Sequence, residues 1–208
     1  MGKPAVFLRL HFCNLECSWC DTKYTWDKDS KEYWQESEGW SVAKTAEAIT
    51  QYPARRLVVT GGEPLMQQNT LEELLTTIPD WKVEVETNGT IAPSPELASV
   101  CQFNVSPKLA NSGNSLNRRY KPDVLRKFNS LADANFKFVV REGSDLAEVD
   151  QIVEDCGIDS DKVIIMPEGT SQEVLRDRML ALIEEVKPRG YRLLPRLHVM
   201  LWGNQRKI

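Results

Sequence analysis

Cys13, Cys17 and Cys20 fall within eight positions in the stretch CNLECSWCDT, residues 13–22. Thiolates so closely spaced are metal or redox ligands before they are anything else. A structural zinc site normally closes its tetrahedron with four Cys or His ligands, often as two paired knuckles. The remaining candidates are Cys101, Cys156, His11 and His198, and none stands at a knuckle spacing from the three. A [4Fe–4S] cluster is usually held by four thiolates, so three would leave one iron open to an outside ligand.

Other residues with chemical potential recur after apolar runs. GGEP (61–64) joins two glycines, which let backbone approach a ligand closely, to Glu63, a carboxylate able to accept from an ammonium group. Taken alone it also reads as an ordinary turn closed by proline. ETNG (86–89) and SPK (106–108) supply Glu86, Asn88, Ser106 and Lys108. An NG turn accounts for Asn88 nearly as well as a binding role, and a lone lysine is most often a solvated charge. Trp19, between the second and third cysteines, is either a buried hydrophobe or a ring on which a ligand stacks.

The elements that must position these groups are legible as alternating patterns. Runs at 5–12, 56–60, 81–87, 103–106, 135–140, 162–166 and 191–195 are rich in β-branched and aromatic residues and predict strands. Segments 41–52, 71–78, 121–132, 145–156 and 171–186 repeat apolar residues every three or four positions and predict helices. Such alternation implies an α/β fold with a mostly parallel sheet. The cysteines, GGEP, ETNG and SPK then follow the first four strands in turn. In parallel barrels and partial barrels, loops at the C-terminal ends of strands converge on one face. Two stretches break the rhythm: 21–40, read as an inserted loop, and 108–122, whose Asn, Ser and Gly favour turns. Neither resembles a domain boundary, so residues 1–208 are expected to form one domain.

Composition narrows the function classes. A formal net charge of −4 over 208 residues argues against a surface that coats nucleic acid. No apolar run is long enough to span a bilayer, and the start lacks a signal-peptide pattern, which points to the cytoplasm. In that reducing compartment a disulfide framework is not expected.

The C-x3-C-x2-C spacing, with an aromatic residue before the last Cys, resembles the radical S-adenosylmethionine superfamily. The run GKPAVFLRLHFCNLECSWCDT, together with ETNGT, SPKLANSG and RLHVMLWG, resembles the 7-carboxy-7-deazaguanine synthase family within it. The resemblance runs from Gly2 nearly to the C-terminus and is most specific in the first third. It implies a modified partial TIM-like barrel, a homodimer, an electron donor such as flavodoxin, and 6-carboxy-5,6,7,8-tetrahydropterin as substrate. It also implies three cofactors: a [4Fe–4S] cluster on Cys13, Cys17 and Cys20, S-adenosylmethionine, and Mg2+ at Thr22, an oxygen ligand of the type that ion prefers. S-adenosylmethionine binding maps to Trp19, Asp21, Gly61, Gly62, Glu63, Ser106 and Lys108. Substrate binding maps to Arg9, whose planar fork suits a carboxylate, and to Thr60 and His198.

Two features set this sequence apart from the family pattern. Members carry a Gln-Gly-Glu-Gly segment upstream of the first strand, whereas this sequence begins two residues before Lys3-Pro4; truncation at the N-terminus relative to the family is the expectation. Arg196 stands where many relatives have a different polar residue. Two other classes share part of the signal: a glycyl-radical activating enzyme acting on a protein partner, and a non-enzymatic zinc-binding module.

Overall fold

Alternating burial along each apolar run builds a single parallel sheet. The computed structural model describes residues 2–203 and residue 205. Its strands are β1 (Val6–Leu10), β2 (Arg56–Gly61), β3 (Lys82–Thr87), β4 (Cys101–Val105), β5 (Ala134–Val140), β6 (Val163–Pro167) and β7 (Arg192–Leu193). They lie in sequence order, and every neighbouring pair is parallel. Among the described residues β1 and β7 do not pair, so the sheet is an open, partial barrel of the TIM type.

The helices are α1 (Lys31–Gln35), α2 (Val42–Thr50), α3 (Gln68–Thr77), α4 (Pro95–Val100), α5 (Leu116–Arg119), α6 (Pro122–Asn129), α7 (Asp145–Cys156), α8 (Gln172–Val186) and α9 (Leu197–Trp202). Serine caps start several of them: Ser41, Ser94 and Ser171 each accept a backbone N–H three residues on. α7 stops at Gly157, whose φ of 64° suits glycine. No described helix is long and apolar enough to cross a membrane.

Strand register separates two faces. Leu57, Val59, Val83, Val85, Phe103, Val105, Phe136, Phe138, Val163 and Ile165 point one way and pack with Leu71, Leu74, Leu97, Leu125, Phe128, Leu146 and Ile152 from the helices. Phe103 and Phe128 meet at 5.2 Å with tilted rings. Each such buried side chain contributes on the order of 1.5–3 kcal/mol. The opposite face carries Arg9, Thr60, Glu84, Glu86, Asn104, Asn135 and Lys137, brought side by side because register and pleat together put them in phase. The sheet is thus greasy toward its helices and polar on its concave side.

The sequence expectations meet the structure closely in the regular parts. Residues 145–156 are helical throughout, and the inserted loop 21–40 contains a short 3-10 turn (Lys23–Thr25) and α1. Three differences have local causes. α4 is only six residues long and opens in a proline-rich stretch, too short to show periodicity. α5 lies inside the Asn/Ser/Gly segment. The run at 191–195 keeps just two ladder residues, because the chain turns away at Pro195 toward α9.

Candidate active site

The loop after β1 is built against its neighbours backbone to backbone. Gly62 N–H donates to Leu10 O at 3.0 Å, and Glu63 N–H donates to Phe12 O at 2.8 Å. A Cβ at Gly61 would stand 2.0 Å from Leu10 O, and one at Gly62 would stand 1.9 Å from Phe12 O. The close approach these glycines permit is therefore to the first turn of the cysteine loop. Phe12, with φ of 74°, is the one non-glycine among the described residues with positive φ. For a bulky side chain that is a strained conformation, held in place by the Glu63 bond immediately before Cys13.

Glu63 locks the third loop onto the second. It is fully buried, and its carboxylate accepts from Leu65 N at 3.0 Å, Thr87 Oγ1 at 2.7 Å and Asn88 N at 2.6 Å. Burial pushes its pKa up, while the three donors oppose that shift. Asn88 in turn donates to Asn14 Oδ1 at 2.8 Å, and Asn14 donates to Thr90 Oγ1 at 2.8 Å. ETNG thus grips the cysteine loop through Asn14, and its NG pair turns the chain from β3 toward α4 rather than forming a hairpin.

The fourth loop contributes most contacts. Ser18 N–H donates to Ser112 O at 2.9 Å, and Glu16 N–H to Asn114 Oδ1 at 3.0 Å. Trp19 Nε1 donates to Asn111 O and Oδ1, both at 3.1 Å, so the indole is oriented by its polar edge. Lys108 Nζ lies 5.7 Å from the centre of the Trp19 ring and donates to Ser106 Oγ at 2.8 Å. Desolvation lowers the Lys108 pKa, and the three nearby cysteines oppose that as thiolates. Beneath this loop the buried guanidinium of Arg119 pairs with Glu148 on α7 and donates to Lys108 O at 2.9 Å.

Cys17 is buried, while Cys13 and Cys20 are half-buried. Burial pushes the Cys13 thiol up to about 11 and raises that of Cys17 as well, so metal binding would have to displace protons. Among the described residues no three His, Cys, Asp or Glu side chains converge where one ion could sit. A four-iron cluster, which takes each thiolate at a different corner, requires no such convergence. The donor set also suits it: three thiols, an amide N–H directed at the Cys17 sulfur, and a nearby lysine.

On the concave face Thr60 Oγ1 donates to Glu86 Oε2 at 3.4 Å, and Lys137 Nζ lies 3.6 Å from the same oxygen. Arg9, in register with Thr60, is exposed and has no hydrogen bond or ion pair among the described residues. Thr22 caps the 3-10 turn, with its hydroxyl 3.5 Å from Cys20 Sγ. Beside them a cavity of about 380 Å3 is lined by Cys20, Asp21, Lys23, Tyr24 and Asp27 among others.

The model of a family described as a 4Fe-4S single cluster domain matches residues 2–122. A 7-carboxy-7-deazaguanine synthase of Pyrobaculum aerophilum is 38% identical over 99% of this chain and 89% of its own length. The chain belongs to the 7-carboxy-7-deazaguanine synthase family. The Escherichia coli K12 family member is 29% identical over 96% of this chain and 90% of its own. In structure, QueE from Escherichia coli superposes with a TM-score of 0.66 at 26% identity, covering 94% of this chain and 86% of that one. SuiB of Streptococcus suis, solved with S-adenosylmethionine bound, gives a TM-score of 0.60 at 12% identity over 92% of this chain and 49% of its own, a likeness of fold.

For this member of the family, the tail closes the site in a way the sequence did not reveal. Arg196 pairs with Asp21 in the cysteine loop, donates to Gly169 O at 2.9 Å, and stands 3.4 Å from His198 Nε2. Asp21, expected at the cofactor, is engaged here by the tail. Burial lowers the His198 pKa, and Arg196 and Arg9 add to the effect while Asp21 and Glu86 oppose it. Asn14, Asn111, Asn114, Arg119 and Glu148 likewise escaped notice; asparagines in a turn-rich segment carry no signal of distant partners.

The chain has two histidines, His11 and His198, and both are lowered by burial. A lowered folded pKa means the unfolded state binds the proton more readily. Stability from both groups is therefore present above the unfolded value of 6.5 and falls as pH drops through the folded values. NMR titration should show two imidazoles titrating below 6.5. Arg196→Met should move only the His198 curve upward. An unmoved curve would mean that Arg196 does not act on His198.

Proposed function

We propose that this protein is a radical S-adenosylmethionine lyase that converts 6-carboxy-5,6,7,8-tetrahydropterin to 7-carboxy-7-deazaguanine, with loss of ammonia, in 7-deazapurine biosynthesis. The observation that carries this beyond family membership is the unpartnered Arg9 on the polar concave face, beside Thr60 on the next strand, two strands from Glu86, and four residues before Cys13. That is an open cation where a carboxylate substrate would arrive.

When bound, the cluster and S-adenosylmethionine would together supply the radical chemistry that removes hydrogen from the substrate. The residues of this chain bind, orient and shield. Cys13, Cys17 and Cys20 would hold the cluster. Trp19, pinned at its Nε1, would offer a ring face to the adenine. Ser106, Lys108 and the Glu63 carboxylate would bind S-adenosylmethionine, and Gly61 and Gly62, packed against the first turn of the cysteine loop, would fix where that loop stands. Glu63 already has three protein donors on its carboxylate, which leaves room for one further donor. Arg9 would grip the substrate carboxylate, and Thr60 with Glu86 would meet polar groups of the ring. His198, carried by the tail, would close the mouth. Thr22 would ligate Mg2+ beside the substrate, an ion that keeps water and substrate oxygens in its shell. The reading extends to one catalytic domain across residues 1–208, a homodimer, a cytoplasmic location and reduction by a flavodoxin-type donor.

Replacing Arg9 by Ala tests it. Loss of one partner from a charge pair that substrate buries costs roughly 3 kcal/mol, so kcat/KM for the carboxypterin should fall on the order of a hundredfold. Iron content and S-adenosylmethionine binding should be unchanged. Thr22→Ala should make turnover less responsive to Mg2+ while also sparing the cluster. Unchanged turnover in Arg9→Ala would place the carboxylate elsewhere. No pterin turnover by the wild-type enzyme, with S-adenosylmethionine still cleaved when a protein partner is supplied, would favour the glycyl-radical activating class.

A further inference from the structure

From the amide directed at Cys17, we infer that Asn114 is a positioning residue that raises the reduction potential of the cluster by donating a hydrogen bond to the Cys17 sulfur. The inference rests on the cluster assignment above and adds to it a residue and a property. Asn114 Nδ2 lies 3.3 Å from Cys17 Sγ, and both residues are buried, at 8% and 6% exposure.

The orientation of the amide is decided by its other contacts. Oδ1 accepts from the backbone N–H of Glu16 at 3.0 Å, a group that can only donate. The oxygen must therefore face Glu16, and the NH2 must face the sulfur. Its second N–H is directed at Ser112 Oγ at 3.3 Å. The backbone of Asn114 is fixed as well, because Arg119 Nε donates to its carbonyl at 3.2 Å while the same guanidinium pairs with Glu148. Among the described residues Cys20 has only the Thr22 hydroxyl, at 3.5 Å, as a side-chain partner. A neutral side-chain amide thus reaches the most buried of the three thiols.

Hydrogen bonds to cluster sulfurs stabilise the reduced, more negative form more than the oxidised one, and burial strengthens the effect. In the step concerned one electron enters the cluster from the external donor. No bond breaks, and Asn114 keeps its protons. A higher potential makes that electron easier to accept, which matters when the donor is a flavodoxin-type protein.

EPR-monitored redox titration of the anaerobically reconstituted holoenzyme tests the inference. Asn114→Asp keeps the acceptor for Glu16 but loses both donors, whereas Asn114→Leu loses donor and acceptor without adding charge. Both midpoint potentials should fall below wild type, the Asp variant furthest, with cluster content retained in Asn114→Asp. Ser112→Ala, which leaves the amide facing the sulfur, should keep the wild-type potential. A potential unchanged in Asn114→Asp overturns the inference. So does loss of the cluster from both Asn114 variants, which would make the residue a clamp for the loop, or a Ser112→Ala shift as large as theirs. Wild-type protein that assembles no cluster would instead defeat the functional reading on which the inference stands.

Discussion

Cys17→Ala is expected to yield a folded protein that binds no competent cluster, and Cys13→Ala and Cys20→Ala should behave alike. Each thiolate would ligate a separate iron, so none can substitute for another. Iron and acid-labile sulfide should fall from about four per chain toward background, and S-adenosylmethionine cleavage should disappear with them. The internal control is supplied by the chain itself. Cys101 starts β4 and Cys156 ends α7; both are buried in the hydrophobic core, away from the loop. Cys101→Ala and Cys156→Ala should each cost about 1–2 kcal/mol of stability yet retain full iron and activity. Iron content and cofactor cleavage at wild-type levels in Cys17→Ala would remove the basis for the cluster assignment.

What could be read in advance follows from the range over which each interaction acts. The alternation of Val83, Val85, Phe103, Val105, Phe136 and Phe138 with polar neighbours is local, and it placed the strands along the chain. Loops at the C-terminal ends of parallel strands must share one face, so the gathering of Cys13, Gly61, Asn88 and Ser106 followed from topology. The clamp on the cysteine loop did not follow. Asn114 and Cys17 are 97 positions apart, Trp19 and Asn111 are 92 apart, and Arg196 and Asp21 are 175 apart. Such pairs leave no period, and an Asn-rich stretch looks the same whether its amides meet water or a ligand loop. The segment 108–122 thus read as turns, although it provides most of the contacts that shape the site.

The glycines show a related limit. GGEP suggested room for a ligand, because glycine gives closeness without naming what comes close. In the fold the space above Gly61 and Gly62 is filled by the backbone of Leu10, Phe12 and Cys13. Their contribution to chemistry runs through the chain: they let β2 press on the turn that launches the cysteines, and Glu63 then ties that turn to Thr87 and Asn88.

Gly62→Ala should accordingly be among the most damaging single-methyl additions in the protein. The added carbon would meet Phe12 O at 1.9 Å, Phe12 C at 2.4 Å and Cys13 N at 2.9 Å, all backbone atoms that cannot rotate aside. Relief requires moving the first turn of the cysteine loop, which breaks the Glu63 N–H bond to Phe12 O and releases the positive φ of Phe12. Overpacking of this severity costs about 3 kcal/mol, to be read as a lower denaturant midpoint. The functional consequence should exceed the thermodynamic one. Cys13 follows the displaced turn directly, so cluster incorporation should fall even under conditions where the chain remains folded by circular dichroism. Gly39→Ala is the matched comparison, since its Cβ would meet nothing within 4 Å, and it should change neither midpoint nor iron content. A Gly62→Ala protein with wild-type midpoint and full cluster content would show that the loop after β1 is not braced by β2, and the origin of the Phe12 conformation would have to be sought elsewhere in the fold.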